Sequence, residues 1–306
     1  MTELIVRRLI HSVFVLFGVS VIVFGLVRLS GDPTALLLPI DATEEDEQQL
    51  REALGLGGPI YVQYWNFISQ AAQGDFGQSI RHRQPAMESV TEKLPATFQL
   101  AGASFAIALA IAVPLGILSA LYPNSIIDRV SVVMALVGQA IPTFLLGILL
   151  ILLMAVQLRL LPSSGSGGPE HLILPALTLG TYSAAIINRL LRSSLLEAMN
   201  EDYIRTARAK GFDERYIVFR HALKNAAIPV ITVVGLQIGN LISGSVVTET
   251  VFSYPGAGLL LVQSLNNADF PVVQAFVMVI AVFVILINLI VDIIYGFVDP
   301  RVRVTG

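Results

Sequence analysis

Six long apolar stretches, separated by polar connections, constrain this chain more than any other feature. They run at about Leu9–Leu29, Thr97–Leu121, Val130–Val156, Leu172–Leu191, Ile228–Thr248 and Val272–Phe297. Each reaches or approaches the roughly 20 residues that a helix needs to cross a bilayer. Hydrocarbon offers no water to backbone N–H and C=O groups, so a spanning segment must be helical or belong to a closed barrel. Six transmembrane helices are expected, in an all-α integral membrane protein. Composition agrees: 55% of residues are hydrophobic and 13% charged, with a mean hydropathy of +0.74, whereas soluble domains carry roughly 25% charged residues. The first span follows Arg7 and Arg8, as a secretory signal would. Its apolar run is longer than the about 7–15 residues of such a signal, and it exits into Ser30-Gly31-Asp32-Pro33 rather than a small-x-small cleavage site. An uncleaved first helix is expected.

Positive charge sets the orientation. With the amino terminus inside, 13 of the 19 Lys and Arg residues fall in cytoplasmic segments. The remainder, Arg28, Arg51, Arg81, Arg83, Lys93 and Arg159, lie mostly in one long outer loop, where the bias is weak. Both termini are therefore expected in the cytoplasm. The chain divides into residues 1–29 (first helix), 30–96 (outer loop) and 97–306 (a five-helix core that includes a cytoplasmic loop at 195–228).

Whole classes of chemistry drop out. There is no cysteine, hence no disulfide, thiolate metal site or cysteine nucleophile. His11, His82, His171 and His221 show no ligand spacing, and no metal site is expected. A net charge of −3 argues against a nucleic-acid surface. In the outer loop, Glu44-Glu45-Asp46-Glu47 opens what reads as a short helix toward Leu54, stopped by Gly55. A second stretch, Tyr61–Ala72, places Tyr61, Tyr64, Trp65 and Ile68 on one side. It reads either as an interfacial helix or as a platform for an extracytoplasmic partner; the two are compatible.

Polar residues at membrane depth are candidates for a path. On the fifth span, Gly235, Gly239 and Ser243 form a small face suited to close helix packing. Gln237, Asn240 and Thr248 must face protein or a water-filled path, since lipid penalises them, and together with Ser243 they are the candidates expected to line it. Gln139 and Pro142 mark a local kink in the third span and are expected to line the same cavity. His11 reads as interfacial, Arg189 (beside Asn188) as snorkelling, and Asp292 (near Asn288) as either a salt-bridge partner or a lone intramembrane acid.

The segment from Asp202 to Pro229 carries Arg205, Arg208, Lys210, Arg215, Arg220 and Lys224 between two apolar spans. Glu201 and Asp202 suit a helix start, Arg208 and Lys210 its end, and Gly211 a left-handed stop. Asp213 and Glu214 then open a second helix toward Leu223. The first of these helices is expected to expose Thr206, Ala207 and Ala209, small enough for another protein to approach closely. Such a double helix reads as a docking element rather than a plain basic loop.

That element resembles the cytoplasmic coupling loop of ABC importer permeases, whose general pattern is Glu-Ala-Ala, three residues, Gly, nine residues, Ile-x-Leu-Pro. Aligned on Gly211, the triplet here is Arg205-Thr206-Ala207 and the distal positions are His221-Ala222-Leu223-Lys224, so Ala207, Gly211 and Leu223 match. The departures are those of the dipeptide, oligopeptide and nickel importers, with Tyr203 opening the YIRTARAKG run. Further stretches similar to that subgroup are Gly31-Asp32-Pro33, Gly74-Asp75-Phe76-Gly77-Gln78-Ser79, Leu94-Pro95-Ala96-Thr97, Ile173-Leu174-Pro175-Ala176, Thr248-Glu249-Thr250-Val251-Phe252, Tyr254-Pro255-Gly256-Ala257-Gly258 and Asp299-Pro300-Arg301. The resemblance implies a type I importer permease fold in a bacterial or archaeal cell membrane. It implies a second, non-identical permease, two cytoplasmic ATPase subunits docked through Tyr203, Arg205, Thr206, Ala207, Lys210, Gly211 and Leu223, and an extracytoplasmic solute-binding protein. It also implies that the cargo is a short peptide or a related solute: glutathione, a nickel chelate or an oligosaccharide.

No GxxxxGK[ST] phosphate loop occurs, so no cofactor is expected on this chain, with ATP and Mg2+ held by the partners. Two rival classes are weaker. An ion-coupled secondary transporter would show internal repeats and buried ion ligands. An intramembrane enzyme would need a nucleophile beside its base, and Ser104 and Ser243 have no histidine near in sequence.

Overall fold

A computed structural model describes residues 2–29, 43, 45, 48 and 58–298. The expected helix toward Leu54, the Gly31-Asp32-Pro33 turn and the terminal Asp299-Pro300-Arg301 lie outside the described residues. Everything regular among the described residues is helical: α1 (Thr2–Leu29), α2 (Ile60–Ala71), α3 (Ala86–Thr91), α4 (Leu94–Leu121), α5 (Ile126–Ala140), α6 (Thr143–Leu150), α7 (Glu170–Met199), α8 (Asp202–Ala209), α9 (Glu214–Tyr216), α10 (Leu223–Val251), α11 (Ala257–Asn266) and α12 (Phe270–Val298). Seven π-helical residues, Ile151–Gln157, extend α6, and six more, Ile217–Ala222, join α9 to α10.

The expected third span is a broken one. Instead of a local kink, α5 and α6 meet at 108°. Ile141 has extended backbone (ψ 123°) and Pro142 follows with ψ 138°. Proline disfavours the helical region for the residue before it and has no N–H with which to continue the ladder. Among the described residues, five helices are long and apolar enough to cross a membrane, or six with the bent pair as one span. Pro114, Pro175 and Pro229, by contrast, sit inside α4, α7 and α10, which run on through them. Within a membrane bundle, neighbouring helices and side chains satisfy the freed backbone groups.

A three-helix core of α4, α7 and α10 organises the rest. Without a hydrophobic driving force between helices in lipid, close approach of small residues takes over. Gly180 on α7 lies against α4 so tightly that a Cβ would sit 2.6 Å from the Ser104 carbonyl oxygen. Leu100, Leu174, Leu179, Leu241 and Phe252 fill one end of this core. Ala108, Ala112, Ala184, Ile187 and Leu191 fill its middle. At the opposite, basic end, Ala120, Leu195, Ala198, Ile204, Ala207, Ile217, Val218 and Ala222 pack together. The small face expected on α10 is used at Gly235, where a Cβ would meet Val291 of α12 at 2.6 Å; Gly239 has nothing within 4 Å of such a Cβ.

α1 is peripheral. It is tied to α12 by an ion pair between Arg8 and Asp292 (2.9 Å), so the intramembrane acid has a partner. It is tied to α2 by Ser20 and Tyr64 (2.7 Å), with Phe24 and Phe67 stacked alongside. Of the expected aromatic face on α2, Tyr64 faces α1, while Tyr61 and Trp65 stay about 70% exposed, as an interfacial helix requires.

Candidate functional site

The basic end carries a compact double helix. Asp202 stands in the first turn of α8, where a carboxylate suits the helix dipole, and Arg208 in its last. Gly211 turns the chain at φ +82°, a region that side chains with a Cβ seldom enter. Asp213 then caps α9 by accepting the Arg215 N–H (3.0 Å), and Arg208 bridges to Glu214 (2.6 Å), locking the two helices together.

The exposed residues of α8 are Asp202, Tyr203, Arg205, Thr206, Arg208 and Ala209, with Lys210 and Gly211 following. Two residues depart from the sequence reading. Ala207 does not contribute to the exposed face; it is 6% exposed and lies with Ile204 (0%) against the ends of α4, α7 and α10. A helix of eight residues that buries two positions three apart turns exactly one stripe inward, and Ala207 falls on it. Leu223 likewise is half-buried and packs on the middle cluster rather than facing out. Beside α8 a further surface is aromatic. Phe212 stacks on Tyr216 (5.1 Å between centroids), Tyr216 meets His221 edge-on, and Phe219 is exposed.

The path candidates separate into two groups. Gln237 is buried and accepts a hydrogen bond from Ser183 of α7 (3.2 Å), and Thr248 is buried with no partner for its hydroxyl. Both face protein. Asn240 and Ser243 are exposed, and with Leu236, Val247 and Thr250 they form one open stripe along α10. Three polar residues on a membrane-depth stripe are costly against lipid. Ser243 also edges a groove of about 410 Å3 between α1 and α12. Gln139, on α5, is half-buried and bonded within its own helix to the Ala135 carbonyl (3.2 Å).

Sequence reasoning passed over three buried polar clusters that hold the ends of the bundle. At the basic end, Asp128 of α5 pairs with Arg192 of α7 (2.6 Å) and accepts from Ser119 of α4. At the other end, Glu249 is 0% exposed. Its carboxylate accepts from Thr97 of α4 (2.8 Å) and from the Leu259 N–H in the first turn of α11 (3.0 Å). Glu249 thus caps a helix that begins eight residues beyond it, which explains the glycines between. A Cβ at Gly258 would lie 2.6 Å from Val246 Cα. Nearby Tyr254 donates to Gln99 (3.2 Å), and burial, then the charge of Glu249, push its hydroxyl pKa up so that it stays a neutral donor. Third, Asp269, before α12, accepts from Ser79 and from the Ile80 N–H (3.1 Å). The available signal was a charged residue within or beside an apolar run, which must find a partner. No cluster of three metal-ligating side chains occurs among the described residues.

A bundle of helices long and apolar enough to span a bilayer, packed around α4, α7 and α10, defines a multi-pass membrane protein. The chain belongs to the family of binding-protein-dependent transport system inner membrane components. The family model matches residues 112–304, and the model of the family's N-terminal part matches residues 1–101. It is 42% identical over 304 residues to the glutathione transport system permease protein GsiC of Escherichia coli (strain K12), covering 99% of both chains. The protein of the same name from Shigella flexneri serotype 5b (strain 8401) is 41% identical over the same length. Among solved structures, the inward-facing MetNI methionine ABC transporter superposes with a TM-score of 0.56 at 20% identity, over 70% of this chain and 97% of that one. An amino acid ABC transporter reaches 0.54 at 15%, over 77% and 98%. Those two likenesses establish the type I importer permease fold. The protein is therefore a multi-pass inner-membrane permease of a binding-protein-dependent importer.

Proposed function

We propose that this chain forms one half of the path through which a short peptide of the glutathione class enters the cell. Both termini lie in the cytoplasm. Two ATPase subunits, which hold the ATP and Mg2+, dock on α8 and α9, a second, non-identical permease completes the path, and a solute-binding protein delivers the cargo. The chain binds no nucleotide itself. The observation that carries this reading is the two-sided character of α8: Ile204 and Ala207 root it in the ends of α4, α7 and α10, while Tyr203, Arg205, Thr206 and Ala209 stay open.

A helix rooted in that way cannot move alone. When ATPase subunits close on nucleotide, α8 carries the basic ends of the core helices with it, and a two-state bundle changes the side to which its cavity opens. A path shared by two permeases must be lined by residues exposed on each alone, which selects Asn240 and Ser243 over Gln237 and Thr248. Glutathione heads the substrate class because the 42% identical relative is named for it. The Arg8–Asp292 pair removes the lone acid that an ion-coupled mechanism would have used.

The test is co-purification of the chain from its native membrane, followed by reconstitution of what comigrates and uptake of labelled glutathione and dipeptides. ATP-dependent uptake that needs the binding protein supports the reading. Recovery without any ATPase after crosslinking, or uptake driven by an ion gradient alone, overturns it.

A further inference from the structure

The loop joining α2 to α3 presents three consecutive basic side chains, Arg81, His82 and Arg83, all exposed. What separates it from an ordinary solvated loop is how firmly its backbone is held. Asp269, 1% exposed, accepts hydrogen bonds from the Ile80 N–H (3.1 Å), the Arg81 N–H (3.4 Å) and the Ser79 hydroxyl. The Ser79 hydroxyl in turn accepts from the His82 N–H (2.9 Å). The Ser79 N–H bonds the Gln84 carbonyl (2.8 Å), and the Arg83 N–H bonds the Ser79 carbonyl (3.0 Å). Arg83 is thereby fixed at φ +53°, a left-handed conformation that residues with a Cβ seldom adopt. Six polar contacts hold the loop and its left-handed arginine in place.

The charges are not consumed locally. Arg81 Nη1 bonds Asn267 Oδ1 (2.7 Å), a neutral acceptor that orients the guanidinium and leaves its charge intact. Among the described residues no carboxylate pairs with Arg81, His82 or Arg83, although Glu88 on α3 and Glu92 just after it follow. The loop sits over the junction of α11 and α12, through Asn267 and Asp269. Under the orientation proposed above it faces the outside.

We propose that this basic knuckle docks an acidic surface of the extracytoplasmic binding protein. The inference rests on the importer reading and adds the chemistry of the contact. Fixed cations at the rim of an interface accelerate association and make it salt-dependent, because their field reaches about a Debye length, roughly 8–10 Å at 0.10–0.15 M salt. Preorganised backbone spares the ordering cost that a floppy loop would incur on binding.

The test uses the whole reconstituted complex: this chain, its partner permease, its ATPases and its loaded binding protein, in vesicles of neutral lipid. ATP hydrolysis is measured against binding-protein concentration at several ionic strengths. For Arg81→Glu/Arg83→Glu, the half-saturating concentration is expected to rise at least tenfold and its salt dependence to flatten or invert, with unstimulated hydrolysis unchanged. Arg81→Lys/Arg83→Gly keeps one cation and relaxes the strained position; it is expected to fall between parent and reversal. Reversal that leaves half-saturation and salt dependence equal to the parent overturns the proposal. So does a loss that appears only when anionic lipid is added, which would assign the knuckle to lipid headgroups. A parent complex that contains no ATPase sinks the importer reading itself, before any variant is compared, and the docking proposal with it.

Discussion

Arg192 grips Asp128 with two prongs, Nε to Oδ1 at 2.6 Å and Nη2 to Oδ2 at 2.9 Å. Ser119 donates to the same carboxylate and accepts from Arg192 Nε (3.0 Å), and the Asn124 N–H closes the remaining side at 2.9 Å. One carboxylate, 4% exposed, therefore fixes the end of α4, the start of α5 and the last third of α7. Further along α7, Leu195 and Ala198 share one buried cluster with Ile204 and Ala207 of α8. Arg192→Gln strands the buried carboxylate and is expected to cost about 3–5 kcal/mol. Asp128→Asn/Arg192→Gln removes both charges and is expected to recover part of that loss. Apparent melting temperature in detergent, with the monodisperse fraction, reads both; an Arg192→Gln protein as stable as the parent would dismiss the clamp.

Glu249 and Thr97 make the matching clamp at the other end. Glu249→Ala leaves the Thr97 hydroxyl and the Leu259 N–H without their acceptor, at about 1–3 kcal/mol for an unsatisfied buried group. The effect is local to α11, so hydrogen exchange of residues 256–262 is expected to accelerate far more than that of α7. Thr97→Val alone and with Glu249→Ala completes a double-mutant cycle. Strict additivity of the two changes would mean that the contact carries no coupling.

Gly180 tests how the core is packed. A Cβ there meets a backbone oxygen, which has no rotamer to escape into, so α4 and α7 must part. Gly180→Ala is expected to destabilise by about 1–3 kcal/mol. Gly102→Ala, where a Cβ meets nothing within 4 Å, is expected to be neutral or slightly stabilising, as helix propensity predicts. Equal melting temperatures for the two variants would remove the close crossing as a determinant of stability.

The number and rough position of the spans were legible because each obeys one rule, that a bilayer needs about 20 apolar residues. The break at Pro142 was legible only as a kink. Four prolines lie in apolar runs, and only Pro142 breaks its helix; exposure does not single it out, since Pro114 and Pro229 are exposed as well and only Pro175 is buried. The outline of the basic double helix followed from its caps and from Gly211. Which side of α8 faces in did not, because Thr206, Ala207 and Ala209 are all small and nothing in their chemistry ranks them. Glu249 was hidden for a different reason. Its partners come from residues 97 and 259, and pairing across such distances in sequence leaves no local pattern.

The inward turn of Ala207 changes what its replacement tests. If the residue lay on the open face, a bulky side chain would block a partner and leave the protein intact. Against Ile204, Ile217 and Val218, all 0% exposed, added volume has nowhere to go. Ala207→Leu is therefore expected to loosen α8 itself, at about 1–3 kcal/mol of overpacking, seen as earlier proteolysis within residues 201–216. Ala209→Leu lies on the exposed side and is expected to leave melting temperature and proteolysis unchanged. In the reconstituted complex it should nonetheless lower binding-protein-dependent uptake at least tenfold, because it stands between α8 and the ATPase. Normal uptake with Ala209→Leu, together with normal uptake for Thr206→Leu, would show that the open face of α8 is not the docking surface.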